Sequence, residues 1–483
     1  MLEDLIKERI KKLEKIRGSN LNPYPASSER TFFINELLNK FEELQVSSKT
    51  FFIVGRVRGV RNQGGVVFTD LEDESGRVQV IFKKDTLNDF RLVDEALDIG
   101  DFLEIKGTCF TTKRGEKSVV VEKFKWLSKS IRPIPSDFYG LEDIEKRLRK
   151  RYLDILLNKD VKEIFVKKSI FWNEIGTHLR KLGFLSVEVP VLESIPGGAD
   201  ALPFLTHHNA LNHDFYLRIS LELPLKRLLV AGYEKVYEIG RIFRNEGIDA
   251  EHLQDYTQLE FYLAYADYRD LMKLVEKMYK KVIQKTLGTL VHDYHGKKID
   301  WSNKFPKVEY YSLFKNMIGL DLKKATVEDL LHEAKKRGLG IGGGLGRGRL
   351  IDILFKKVIR HTLIQPIFLI NPPTDIEPLA KRMEKHPDRV ERFQVVAGGT
   401  ELGKGFSENN DPLDQRNRFV EQMSLRERGD KEAQIIDEDF LEALEYGMPP
   451  AAGFGLSERL FAVLMNRPVR ETVIFPLMRK LEK

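Results

Sequence analysis

Cysteine is almost absent from this chain: Cys109 is the only one in 483 residues. That excludes a disulfide framework and any cysteine-based zinc site, and it suits a reducing compartment. No apolar run approaches the ~20 residues needed to span a bilayer. The start, Met1-Leu2-Glu3-Asp4, carries acids where a signal peptide has its apolar core. A cytoplasmic protein with no membrane partner is expected. Charge of one sign is also scarce. The 79 basic and 73 acidic side chains leave +6, which permits a polyanionic partner without requiring one. What is present is a globular composition, 42% hydrophobic and 31% charged, arguing for cored domains and against disorder. The length suits about two to four such domains.

Residues 1–49 read as a helical arm. Leu2, Leu5, Ile6, Ile10, Leu13 and Ile16 recur at helical spacing among basic residues, and Gly18-Ser19-Asn20 is a stop signal. An amphipathic helix packed on a neighbour and a basic arm laid on nucleic acid both fit this pattern. Over 50–128 the pattern changes to short β-rich runs, Phe51–Val57, Val66–Leu71, Val78–Phe82, Phe102–Thr108 and Ser118–Trp126, separated by Gly/Asn/Asp punctuation. Five such strands suggest a closed OB-fold barrel. These barrels bind single-stranded nucleic acid by stacking bases on aromatics in a basic groove. Phe68 and Gln79, near Arg56, Arg58 and Arg61, are candidates for such a face, although a strand Phe is more often core.

Ile131-Arg132-Pro133-Ile134-Pro135 marks a linker, taken as 129–150. Residues 151–483 then alternate strands and helices without repeats, as one large α+β domain with a helical insertion around 268–365, whose first helix lies near Asp270–Leu287. Gly338 to Gly348 holds seven glycines, but no Gly-Lys-Ser/Thr follows. A turn between helices fits better than a phosphate loop. Adjacent His207 and His208 project apart on a strand and read as structural.

Three constellations carry chemistry. Val236 to Gly247 alternates as a strand that displays Arg244 at its end. Gln258-Leu259-Glu260-Phe261-Tyr262 is a strand able to pair with it, leaving Glu260 and Tyr262 on one face. Gly453-Phe454-Gly455-Leu456-Ser457-Glu458-Arg459 is a glycine-rich strand leading into a helix. Arginines beside acids and glycines suit a nucleoside triphosphate, because a guanidinium clamps two phosphate oxygens and glycine permits close approach. Each Arg/Glu pair taken alone is equally well a salt bridge.

Together and in this order, these residues resemble the class II aminoacyl-tRNA synthetases. Phe243-Arg244-Asn245-Glu246 looks like motif 2, Gly453 to Arg459 like motif 3, and Gly183 to Pro190 like motif 1. Ile195-Pro196-Gly197-Gly198-Ala199, Phe204 to Leu211, Tyr216-Leu217-Arg218-Ile219, Phe406 to Pro412 and Leu444 to Pro450 resemble the lysine-specific branch. The resemblance runs from about Phe52 to the C-terminus.

It implies an antiparallel-sheet catalytic domain flanked by helices. It also implies ATP as substrate, Mg2+, L-lysine, tRNA(Lys) as partner, and a homodimer formed through motif 1. By similarity, Arg244 bridges the lysine carboxylate and α-phosphate, and Arg459 holds the γ-phosphate. Glu246, His252 and Tyr256 border adenine and ribose. Glu260, Tyr262 and Glu408 face the ε-ammonium, Gly198 and Glu222 the α-amine, with Lys404 and Phe406 also at the lysine site. Glu401 is a magnesium ligand, and Gln394 and Glu408 are weaker ones. Phe68, Gln79 and Glu116 fall on anticodon-reading positions.

Some residues depart from the family pattern. Gln394 stands where a metal-binding Glu is usual, Lys404 and Leu253 where asparagines are usual, and Leu202 where an arginine is usual. Motif 3 is one residue short. Three rival readings follow: an aspartate- or asparagine-specific relative, which Lys404 alone favours; a catalytically weak tRNA-binding paralogue; and lysylation of a protein, which the anticodon barrel disfavours.

Overall fold

The computed structural model describes residues 2–135, 143–247, 253–340, 345–430 and 432–480. The chain divides into two compact units, Met1–Glu142 and Asp143–Lys483.

In the first unit, helices α1 (Leu2–Gly18), α2 (Ile34–Asn39) and α3 (Phe41–Ser47) precede strands β1 (Phe51–Asn62), β2 (Val66–Glu72), β3 (Arg77–Lys83), β4 (Phe102–Thr111) and β5 (Lys117–Ser128). The strands close as a barrel in the order β1-β2-β3-β5-β4, as expected for an OB-fold. Period-2 alternation builds it: Val67, Thr69 and Leu71 of β2 point inward, while Phe68, Asp70 and Glu72 are only half-buried. The arm joins the barrel's core through Ile16, Ile34, Leu37, Phe41 and Leu44. Its basic face is partly committed to acids, with Lys12 on Asp98 at 2.7 Å and Lys15 on Glu95 at 3.1 Å. The packed-helix alternative is therefore the one seen.

The second unit is built on an eight-stranded sheet. Its strands are β6 (Leu185–Ser186), β7 (Lys235–Phe243), β8 (Asp255–Ala264), β9 (Lys307–Glu309), β10 (Ile367–Ile370), β11 (Arg392–Ala397), β12 (Thr400–Ser407) and β13 (Ala451–Ser457). The order is β9-β10-β11-β12-β13-β8-β7-β6, antiparallel except at the β9/β10 and β7/β6 edges. Helix α4 (Lys159–Lys181) and helix α5 (Tyr268–Leu287) cover one face.

The helix near Asp270–Leu287 is not an insertion. Leu271, Met272, Val275, Met278, Tyr279, Val282 and Ile283 recur at helical spacing and are all buried. They share one core with Phe261, Phe393 and Phe454 of the sheet. The segment after it, with buried Tyr310, Phe314, Leu330, Leu350 and Phe355, forms its own cluster against Leu369 and Val396 at the sheet edge. The glycine-rich stretch lies in sequence between the helices Val327–Lys336 and Arg347–Leu354, and residues 341–344, where the turn is expected, lie outside the described residues. His207 and His208 are exposed on a short strand, where His207 meets Asp214 at 2.7 Å.

Candidate active site

The sheet's other face carries the site, and strand register places its residues. One row crosses four strands as Gln394 (β11), Lys404 (β12), Gly455 (β13) and Glu260 (β8). Two residues along, on the same face, a second row reads Arg392, Phe406, Gly453 and Tyr262. Glycine occupies β13 in both rows, so a hollow opens between the Lys404/Phe406 side and the Glu260/Tyr262 side. At about 4.8 Å per strand, the two sides stand about 10 Å apart. Above this floor lies a cavity of about 1000 Å³.

The cavity is lined by Gly198, Glu222, Arg244, Glu246, Tyr256, Glu260, Tyr262, Gln394, Glu401, Lys404, Phe406 and Arg459, all candidates from the sequence. His252 lies outside the described residues.

At the acidic end Glu260 is 3% exposed. Its carboxylate accepts from Ser220 Oγ at 2.8 Å, from the Leu221 amide at 3.1 Å, from Gln258 and from the Tyr262 hydroxyl at 2.9 Å. Burial, then the nearby Glu222, Glu260 and Glu408, holds the Tyr262 phenol well above its ordinary value, so it stays a donor. Gly198, at φ 83°, packs against Ser220 and Glu222, where a Cβ would lie 3.0 Å from each side chain. Glu222 opens helix α6 (Glu222–Val230), and burial raises its carboxyl to about 7 against the pull of Lys226.

Arg244 follows β7, six residues past Glu238, the partner of Glu260 across the β7/β8 pair. Its Nε donates to the Ile219 carbonyl at 3.2 Å, and its guanidinium lies 5.7 Å from the Tyr256 ring centre. Arg459 opens helix α7 (Arg459–Leu464) directly after β13. Its neighbour Glu458 is structural: it is buried, pairs with Lys168 at 2.7 Å and accepts from the Thr257 amide at 3.0 Å.

Three expectations change. Glu408 is buried and does not line the cavity, because its carboxylate pairs with the ammonium of Lys226. With a cation of the chain already on it, a metal-ligand role for Glu408 does not fit. Lys404 lines the cavity, yet its ammonium donates to buried Glu377 at 2.9 Å, which Arg392 also approaches at 3.3 Å. It is held by an acid of the chain instead of standing free for a substrate carboxylate. Gln394 directs its amide NH2 to Glu401 at 2.6 Å.

Among the described residues no group of three or more His, Cys, Asp or Glu is arranged to hold a metal. One carboxylate beside one amide suits magnesium held chiefly through substrate phosphates, since that ion keeps several waters and needs only one or two carboxylates. Lys226 and Glu377 were missed from sequence. The i,i+4 spacing of Glu222 and Lys226 was the available signal for the first.

On the barrel, Phe68 lies opposite Ile81 and beside Gln79, whose Oε1 accepts from Ser118 at 3.0 Å; Glu116 sits just before Ser118 in the β4–β5 turn. The three anticodon candidates thus share one region of the barrel surface.

A family profile described as tRNA synthetases class II (D, K and N) matches residues 143–479, and one described as an OB-fold nucleic acid binding domain matches residues 51–127. A Lysine--tRNA ligase of Moorella thermoacetica is 43% identical, covering 99% of both chains. Those of Carboxydothermus hydrogenoformans and Bacillus subtilis are 42% and 40% identical, each over 99% of this chain and 98% of theirs. The chain belongs to the lysine–tRNA ligase family. It is an aminoacyl-tRNA synthetase of class II, carrying an OB-fold domain ahead of its catalytic sheet. No described helix is long and apolar enough to cross a membrane.

Proposed function

We propose that this protein joins L-lysine to tRNA(Lys) in the cytoplasm, through a lysyl-adenylate made from ATP. The lysine carboxylate attacks the α-phosphate, pyrophosphate leaves, and the 3′-terminal hydroxyl of the tRNA then takes the lysyl group, releasing AMP. Two anions must first meet, a repulsion of about 4 kcal/mol at 4 Å in a protein-like dielectric. Arg244 and Arg459 offset it by binding the carboxylate and the phosphates. Glu401 would hold magnesium, which would further neutralise the triphosphate. No side-chain nucleophile is needed, so positioning and electrostatics carry the reaction.

The observation that carries the reading is the acidic end of the hollow. An ammonium group has three donors and no acceptor. Glu260 and Glu222 offer it carboxylate oxygens. Lys404, the one residue favouring an acidic substrate, is engaged by Glu377. Phe68, Gln79 and Glu116 read the anticodon. Two copies pair through Gly183 to Pro190, a reading supported by Leu185 and nearby Leu192, which are 47% and 45% exposed. Attachment of labelled lysine to unfractionated tRNA tests the whole. Acid-stable, base-labile label on tRNA is expected, and tRNA binding without any attachment would favour the inactive-paralogue reading.

A further inference from the structure

Lys226 takes no part in the chemistry above, yet it is completely buried beside the cavity. It sits one turn after Glu222 on α6, and its ammonium lies between two carboxylates, Glu222 at 2.5 Å and Glu408. The rings of Phe406 and Phe440 flank it, with centres 5.4 and 5.9 Å away. Such an ammonium is desolvated unless its partners hold it. Burial alone would lower its affinity for a proton, but Glu222 and Glu408 outweigh that and raise it.

The two carboxylates are not equivalent. Glu222 lines the cavity and Glu408 does not. Glu408 and the Tyr262 ring fill the room that the missing side chain of Gly453 leaves, since a Cβ there would lie 2.4 Å from Glu408 Oε1 and 2.2 Å from the ring. One internal cation therefore absorbs the hidden acid and fixes one oxygen of the accessible one. We propose that Lys226 is a positioning residue that holds Glu222 as a carboxylate turned to the cavity, so that Glu222 receives the α-ammonium while Glu260 receives the side-chain ammonium. The assignment of those two ammonium groups rests on the lysine reading above.

The charged and titratable groups around Glu222 agree with this. Glu260 of β8, Glu377, and Glu408 after β12 favour its protonation, while Tyr262 of β8 is neutral. Lys226 and Lys404 oppose it, and Lys226 is the nearer and stronger. Without Lys226, the buried Glu222 would keep its proton to a higher pH than the about 7 it has with it, and lose its hold on an ammonium group over that range.

The test is calorimetric titration of the full chain, unmodified and Lys226→Met, with lysine and with 6-aminohexanoate, which lacks the α-amine. Lysine affinity is expected to fall about fivefold at pH 7, the effect of one pKa unit on a group titrating near 7, with the deficit shrinking to less than about twofold at pH 8.5. Binding of 6-aminohexanoate should change less than about threefold at either pH. Equal weakening of both ligands, or a lysine deficit independent of pH, would overturn the proposal by making Lys226 merely structural.

If Lys226→Met does not fold, Lys226→Met/Glu408→Gln replaces the buried pair with uncharged groups of similar volume, a change that folds well in other buried pairs. It should keep a smaller lysine-specific loss with the same recovery on raising the pH, and unaltered lysine binding in it would contradict the proposal. Failure of the unmodified protein to bind lysine at all would instead sink the underlying lysine reading, and the proposal with it.

Discussion

Lys404 of β12 stands directly opposite Gln394 of β11 on the floor of the cavity, and its ammonium donates to Glu377 at 2.9 Å. The resemblance leads one to expect a neutral amide at the first of these positions and a carboxylate at the second. The pair has instead moved one unit of charge toward positive at each position, beside Glu401, the one candidate metal carboxylate.

Magnesium dependence should register this. Gln394→Glu places a second carboxylate against Glu401, where repulsion is relieved by a divalent cation. The magnesium concentration for half-maximal ATP–pyrophosphate exchange is expected to fall severalfold. An unchanged magnesium profile would mean that position 394 does not face the ion.

Lysine binding should weaken in acid. Glu222 is raised to about 7, and its charged form is the one that attracts an ammonium group. As pH falls through about 7 the carboxyl takes a proton, so lysine KM rises, approaching tenfold per unit well below that point. A series of initial rates from pH 6 to pH 8 checks this. Glu222→Gln should show a higher KM that no longer varies across that range.

The acidic end can be probed directly. Glu260 accepts four hydrogen bonds in the pocket, and Glu260→Gln removes the charge that an ammonium would meet while keeping the shape. Hydrogen bonds to charged groups are worth about 1.5–3 kcal/mol, so lysine KM should rise roughly 10- to 100-fold with ATP KM little altered. Parallel rises in both constants would indicate a collapsed site.

The two floor glycines should differ. A Cβ on Gly453 would meet the Tyr262 ring at 2.2 Å, whereas on Gly455 its nearest neighbour is Glu260 Cγ at 3.5 Å. Gly453→Ala is expected to cost about 1–3 kcal/mol of stability and to abolish lysine activation. Gly455→Ala should fold with a near-normal melting temperature. Thermal melts of the two variants decide it.

On the barrel, Phe68→Ala should raise the KM for tRNA by about tenfold or more, since stacking on an aromatic contributes about 1–3 kcal/mol per base. Pyrophosphate exchange without tRNA should be unchanged.

How much of this was legible in the chain follows from the range of each interaction. The barrel strands and the Glu260/Tyr262 face were readable because period-2 alternation is local and β7 pairs with β8, the next strand of the sheet in sequence. The role of Tyr268–Leu287 was not. An amphipathic helix announces that it packs but not on what, and its partner strands β11 to β13 come much later in sequence. Glu408 was placed in the pocket by resemblance alone. Its burial depends on Lys226 and on the glycine at 453, each from a different element.

The central claim is that an acidic hollow facing two arginines activates a diamino acid. Amino-acid-dependent ATP–pyrophosphate exchange by the purified protein measures that step alone. Lysine is expected to stimulate exchange and aspartate to leave it at background. Stimulation by aspartate over lysine would contradict the account.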